Sequence, residues 1–197
     1  MSALSLADLA REASTCVACP LALSRTQVVF GTGDPHAPVM FVGEAPGRDE
    51  DLAGEPFVGR SGKLLDRLID EELEMERAAC YIANVVKCRP PGNRDPLPGE
   101  VASCAHFLDG QLAAVAPVVV VTLGNFASRA LLASTDGVTR LRGRAYRRGD
   151  AWLVPTFHPA AALRGGGVVL AQMRADFVRA KRLVAEAAAA PGPGRGA

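Results

Sequence analysis

Four short apolar runs, each leading toward a stretch of helical periodicity, constrain the fold of this 197-residue chain more than any other feature. The runs are PVMFVGEA from residue 38, CYIANVVKC from 80, VVVVTLG from 118 and AWLVPTFH from 151. Apolar residues recur at helical spacing near 3–15, 60–74, 97–115, 124–133 and 168–188. Strands that alternate with helices build a mostly parallel sheet covered on both faces, because each crossover lays a helix across the sheet. With 49% hydrophobic residues the chain can fill one such core, so a single domain over 1–188 is expected. The closing residues, 189–197, end in PGPGRGA and read as a disordered tail, and no internal repeat is evident.

In sheets of this kind ligands bind beyond the carboxyl ends of the strands. The pattern puts Glu44, Asn84 and His158 there. Glu44 lies in GEAPGRDEDLAGEPFVGRSGKLLD, residues 43–66, which packs five glycines, two prolines and six acidic residues between a strand and a helix. A glycine-rich loop in that position holds phosphate when it offers backbone N–H groups and a lysine at the spacing G-x-x-x-x-G-K-[ST]. Here Gly59, Gly62 and Lys63 have the wrong spacing, and Glu44, Asp49, Glu50, Asp51 and Glu55 would repel an anion. The loop suits instead a wall that brings a carboxylate and an aromatic ring to the end of the sheet.

No apolar run approaches the roughly 20 residues of a membrane span. The first residues, MSALSLADLAREAS, read as an amphipathic helix and not as a signal peptide, so a cytoplasmic protein without membrane contact is expected. A net charge of +1 provides no global attraction to nucleic acid, yet 19 of the 22 basic residues are arginine and five of them crowd into RLRGRAYRR, residues 140–148. Arginine binds phosphate well, so this segment is either a phosphate-facing patch or a solvated hairpin. The cysteines are Cys16, Cys19, Cys80, Cys88 and Cys104. Without a secretory signal, disulfides are disfavoured. CVACP is a C-x-x-C followed by proline, a local form found in iron–sulfur proteins, whereas zinc more often uses two short knuckles and Cys88 and Cys104 stand 16 apart. On spacing alone a 4Fe-4S cluster, a zinc site and unliganded core cysteines all stay open. Cys80, at the start of a buried strand, reads as core.

Taken with NVVKCRPPGNRDP, PFVGRSGKLL and FHPAAALRG, the GEAPG loop makes the chain resemble the family 4 uracil-DNA glycosylases, from about Cys16 to the final helix. The resemblance implies an α/β/α sandwich with a four-stranded, mostly parallel sheet, a 4Fe-4S cluster, and removal of uracil from DNA. It makes Cys16, Cys19, Cys88 and Cys104 the cluster ligands and leaves Cys80 over. It makes Glu44 and His158 catalytic, and Phe57 and Asn84 the ring under the base and the base reader. Gly43, Ala45 and Gly47 become the pocket wall, with the glycines allowing close backbone approach, and Glu50 crowds the place of a thymine methyl. Leu163 and Arg164 lie on the element that enters DNA, as wedge and phosphate neighbour. The implied partner is uracil-containing DNA, single- or double-stranded, met by a monomer. In one respect the chain departs: Ala45 stands where the best-known uracil glycosylases carry an aspartate that handles the water. A relative acting on other deaminated bases, a binder of uracil-DNA with little turnover, and a non-enzymatic metal-stabilised nucleic-acid module are the competing expectations.

Overall fold

The strand Val39–Gly43 is buried along its whole length, and its alternate side chains enter two different cores. Met40 and Val42 face one, Val39 and Phe41 the other. A strand apolar on both faces needs a helical layer on each side, which is why the run carries no polar alternation. In the computed structural model, which describes residues 4–189, those layers are present. Helices α1 (Leu6–Ser14), α4 (Pro98–Val115) and α5 (Asn125–Leu132) contribute to the first core. Helices α3 (Arg60–Leu68), which runs on into a π-helical turn Ile69–Leu73, and α7 (Pro159–Ala189) fill the second. Phe41 stacks on Phe177 there at 5.4 Å between ring centroids. Two short helices, α2 (Arg48–Ala53) and α6 (Val138–Leu141), lie in the connections.

The sheet has six strands, β1 (Thr32–Gly33), β2 (Val39–Gly43), β3 (Tyr81–Asn84), β4 (Val119–Leu123), β5 (Tyr146–Arg148) and β6 (Ala151–Thr156), in the order β1-β3-β2-β4-β6-β5. The expected three-layer sandwich is present, but the expected four strands become six. β3, β2, β4 and β6 are the parallel four. β1 and β5 are antiparallel additions at the two edges. With two and three residues respectively they are too short to show a period of two, and glycine and arginine hide them further. Short edge strands, one of them carrying two arginines, also discourage pairing with another chain.

After β2 the chain goes to β3 on one side and then returns to β4 on the other. The winding therefore reverses at β2, and a crevice opens at the carboxyl ends of β2 and β4. A second finding concerns residues 160–166, which carry Leu163 and Arg164 and precede the helix expected near 168–188. Pro159, preset for a first helical turn, starts a short helical stretch at once, and Gly166, where φ is 70° and ψ −160°, separates it from the long helix that follows, the two together making up α7. Of the segment expected as a disordered tail, Ala189 closes α7 and 190–197 lie outside the described residues. Among the described residues no helix is long and apolar enough to cross a membrane.

Candidate active site and a cavity ringed by cysteines

Glu44, Ala45, Gly47, Glu50, Phe57, Asn84, His158, Leu163 and Arg164 all line one cleft at the carboxyl end of the sheet. Gly43 lies behind them and explains how they meet. A Cβ on Gly43 would stand 2.4 Å from Asn84 Oδ1 and 2.7 Å from Phe57 Cζ, so only glycine lets the ring and the amide close over the strand end. Gly62 does the same from below, since a Cβ there would reach 1.8 Å from the Phe57 carbonyl oxygen. Phe57 itself is buried with φ at 55°, a left-handed conformation that a bulky residue holds only when its surroundings impose it. Part of that imposition comes from Glu50. Its carboxylate accepts from the N–H groups of Gly47 at 3.1 Å, Val58 at 3.1 Å and Gly59 at 3.2 Å, stitching both ends of the loop to α2.

Asn84 closes β3 and is 2% exposed. Its backbone carbonyl accepts from Lys87 Nζ at 2.7 Å, and the same ammonium donates to Gln111 Oε1 at 2.5 Å. Burial pulls the Lys87 ammonium down to about 7. The Asn84 side-chain oxygen, by contrast, is buried without a hydrogen-bond partner, the one such side-chain atom among the described residues. Buried polar atoms are rarely left unpaired, so an orphan at a cleft floor is a place for a ligand's donor. The loop that bears Glu44 lies against the same segment, with Val85 N–H donating to Gly43 O at 2.9 Å and Val86 N–H to Glu44 O at 3.1 Å.

His158 follows β6, its ring 5.6 Å from that of Phe57 and inclined at 31°. Burial pulls its imidazole down to about 4; the positive charge of Arg164 adds to the fall and Glu50 opposes it. The ring is therefore neutral at pH 7. Nδ1 accepts from Ala160 N–H at 3.1 Å, which assigns the proton to Nε2 and makes that nitrogen a donor. Glu44 is half-buried, and burial pushes its carboxyl up to about 7, with Asp95 adding to the rise. A cleft with an uncharged donor at one side and an acid poised near neutrality at another can stabilise an anion and a cation a few ångströms apart.

Cys16, Cys19, Cys88 and Cys104 line a second, apolar cavity together with Ala13, Val28 and Phe107. Cys80 is not among them; it is fully buried on the opposite face of the sheet, where burial pushes its thiol up to about 12. Backbone and side-chain donors already point at the sulfurs. Lys87 N–H lies 3.3 Å from Cys104 Sγ, and Arg25 Nη1 lies 3.4 Å from Cys88 Sγ while donating to Cys16 O at 2.7 Å. Apolar walls hold the Cys88 and Cys104 thiols above their ordinary values, the latter at about 11. Among the described residues no three cysteine, histidine or carboxylate groups already converge on a single ion.

Sequence reading missed Lys87, Asp95, Asp51 and Gln111. Lys87 had a visible signal, a lysine inside the apolar run IANVVKC, since a buried ammonium always needs partners. Asp51 had none: it is 2% exposed and accepts from Thr26 N–H at 2.9 Å and more weakly from Gln27 N–H at 3.4 Å, contacts between segments 25 residues apart. Asp95 sits in an irregular turn whose approach to Glu44 no periodicity encodes.

The chain matches the uracil DNA glycosylase superfamily over residues 30–180, a span that contains the whole cleft and begins after Cys16 and Cys19. A type-4 uracil-DNA glycosylase of Archaeoglobus fulgidus is 44% identical over 168 residues, which is 81% of this chain and 83% of the relative. Those of Thermotoga maritima and Sulfurisphaera tokodaii are 47% identical over 154 residues and 43% identical over 167 residues, covering 76% and 81% of this chain and 78% and 76% of their own. With the cleft, the sheet winding and the motif order all in agreement, the chain belongs to the uracil DNA glycosylase superfamily, and within it to the type-4 uracil-DNA glycosylases.

Proposed function

We propose that this protein is a DNA-repair glycosylase that takes a uracil nucleotide out of the DNA stack, hydrolyses its N-glycosidic bond, and leaves free uracil and an abasic site. The observation that carries the reading is the unpartnered, buried Asn84 Oδ1 beside the Phe57 ring. Uracil presents N3–H as a donor and O4 as an acceptor, so it satisfies both ends of the Asn84 amide, whereas cytosine presents the reverse pair. Sites built on buried hydrogen bonds reject a mismatched partner strongly, because the failure leaves groups unpaired. Stacking on Phe57 offsets part of the unstacking that extrusion costs.

Bond cleavage leaves electrons on the departing uracil and positive charge on the sugar. His158 Nε2–H is the donor for the uracil oxygen that becomes anionic, and a neutral imidazole keeps its proton throughout. Glu44, ionised, stabilises the sugar cation or holds the attacking water; Ala45 has no group for the water, and Asp95 is the nearest second carboxyl. Glu50, held at both oxygens, serves as a fixed wall toward C5 of the base. Leu163, half-exposed, and Arg164, on the first turns of α7, enter the gap and meet the backbone. The four cavity cysteines hold a 4Fe-4S cluster. Four thiols around one apolar cavity, two from the amino-terminal segment and two from the segment after β3 and from α4, would supply the four thiolates such a cluster takes. When bound, that group supplies cross-links between chain segments, since the hydrolysis itself moves no electrons to an acceptor.

Purified protein incubated with uracil-containing and matched thymine oligonucleotides, single- and double-stranded, followed by alkali, is expected to cut only the uracil strands. Asn84→Ala is expected to lose about 10²-fold or more of single-turnover excision while still binding DNA. An intact uracil strand after prolonged incubation with the wild type defeats the proposal.

A further inference from the structure

In the arginine-rich segment 140–148 only Arg142 is largely enclosed; Arg140, Arg147 and Arg148 are exposed but each has a partner within the protein, and Arg144 is exposed with none among the described residues. Arg142 donates to Asp176 from Nε and Nη2, both at 2.9 Å. Arg140 pairs with Asp136, Arg148 approaches Asp109, and Arg147 lies 3.9 Å above the Trp152 ring. Around the cleft the picture differs. Arg48 opens α2, Arg60 opens α3, Arg129 lies on α5 and Arg164 on α7, all four exposed and all lining the cleft. Among the described residues Arg48, Arg60 and Arg164 have no acidic partner of the kind that holds Arg140 or Arg142, and Arg129 spends only Nε, on the Asp136 carbonyl. Arg94, also at the cleft, is excluded from the set because Glu100 takes it from both sides, at 2.9 and 2.6 Å.

Resting on the functional reading above, we propose that Arg48, Arg60 and Arg129, together with Arg164, form a collar that grips the phosphates flanking the extruded nucleotide, and that the partnered arginines Arg140, Arg142, Arg147 and Arg148 take no part. The charge arrangement supports it from two sides. Free guanidinium groups stand on separate elements around the rim, where a strand passing over the cleft presents successive phosphates. Farther from solvent, the half-buried Glu44 and Glu50 line the same cleft, repel phosphate and leave entry to the neutral base. A chain with a net charge of +1 thereby acquires a local DNA surface from residues far apart in sequence.

The test measures Kd for a duplex bearing a non-cleavable 2′-fluoro-deoxyuridine over a range of salt concentrations. Its proteins are the full-length wild type, R48Q, R60Q, R129Q, R140Q and R148Q, each checked by thermal melting. Each phosphate contact adds about 0.9 to the slope of log K against log salt for duplex DNA, so each rim variant is expected to flatten the slope by about one and weaken binding. R140Q and R148Q are expected to keep the wild-type slope. A wild type that excises uracil while the rim variants retain its full slope overturns the collar alone, as does a slope lost in R140Q or R148Q instead. A wild type that neither binds nor excises overturns the functional reading and the collar with it.

Discussion

Burial acts on Glu44 and His158 in opposite directions, because it penalises whichever form carries charge. The carboxyl rises to about 7 and the imidazole falls to about 4. At neutral pH the histidine is thus an uncharged donor, and the glutamate is near the middle of its titration. Single-turnover excision that needs the Glu44 carboxylate should therefore climb with pH through about 7, without a histidine limb above pH 5. Asp95 raises Glu44 by like charge and by hydrogen bonding, so Asp95→Asn should move that rise toward lower pH. A profile identical to wild type would show that Asp95 does not act on Glu44. Gly43 offers a second check at this scale. Gly43→Ala puts a methyl 2.4 Å from Asn84 Oδ1 and must displace the amide or the Phe57 ring. Excision should fall about 10²-fold, the scale of an ångström's misplacement, against a stability loss of only about 1–3 kcal/mol. Kinetics and urea melts on the same preparation separate the two effects.

At the scale of elements, the site depends on ties between segments more than on any one helix or strand. Asp51 on α2 accepts from Thr26 and Gln27, the neighbours of Arg25, which reaches Cys16 and Cys88; the site loop and the cysteine cavity therefore share a strut. On the other side, Asp176 of α7 is fully buried and accepts from Arg142 twice, from Gly143 N–H at 3.1 Å and from Thr156 Oγ1 at 2.8 Å. That group joins α7 to the end of β6, two residues before His158. Burial pushes the Asp176 carboxyl up while Arg142 draws it down, so the pair is held by geometry against a large desolvation cost. Removing one partner leaves the other buried and unpaired. Asp176→Ala should cost about 3–5 kcal/mol in urea unfolding, and Asp176→Asn less, since its oxygen still accepts. Equal stability of Asp176→Ala and wild type would make the network incidental.

For the whole molecule, the two pairs of cavity cysteines come from separate parts of the chain. Cys16 and Cys19 lie in the segment after α1, while Cys88 follows β3 and Cys104 sits on α4. A group bound by all four joins the amino-terminal segment to the sheet. Protein purified anaerobically should carry about four irons per chain. Cys88→Ser should lose most of that iron and expose residues 15–30 to limited proteolysis, with the sheet still folded. One stoichiometric zinc and no iron would refute the cluster.

The sequence by itself determined the layers, the parallel four-stranded centre and the chemistry available at each strand end, because these follow from local periodicity. Glu44, Asn84 and His158 were legible for that reason: each stands at or just past the end of an apolar run. The cysteine set was legible in part; spacing left cluster and zinc open, and only the family resemblance chose between them. What no local signal encodes is which distant groups touch. The edge strands β1 and β5 exist because longer neighbours offer them hydrogen bonds, not because two or three residues prefer extension. The orphaned oxygen of Asn84, the raised carboxyl of Glu44 beside Asp95 and the capture of Arg142 by Asp176 likewise arise from tertiary proximity and burial. Tertiary structure also reversed the reading of charge. Of the five arginines adjacent in sequence, four have partners within the protein, while others scattered along the chain line the cleft, because side-chain environment depends on position in space and not on order along the backbone.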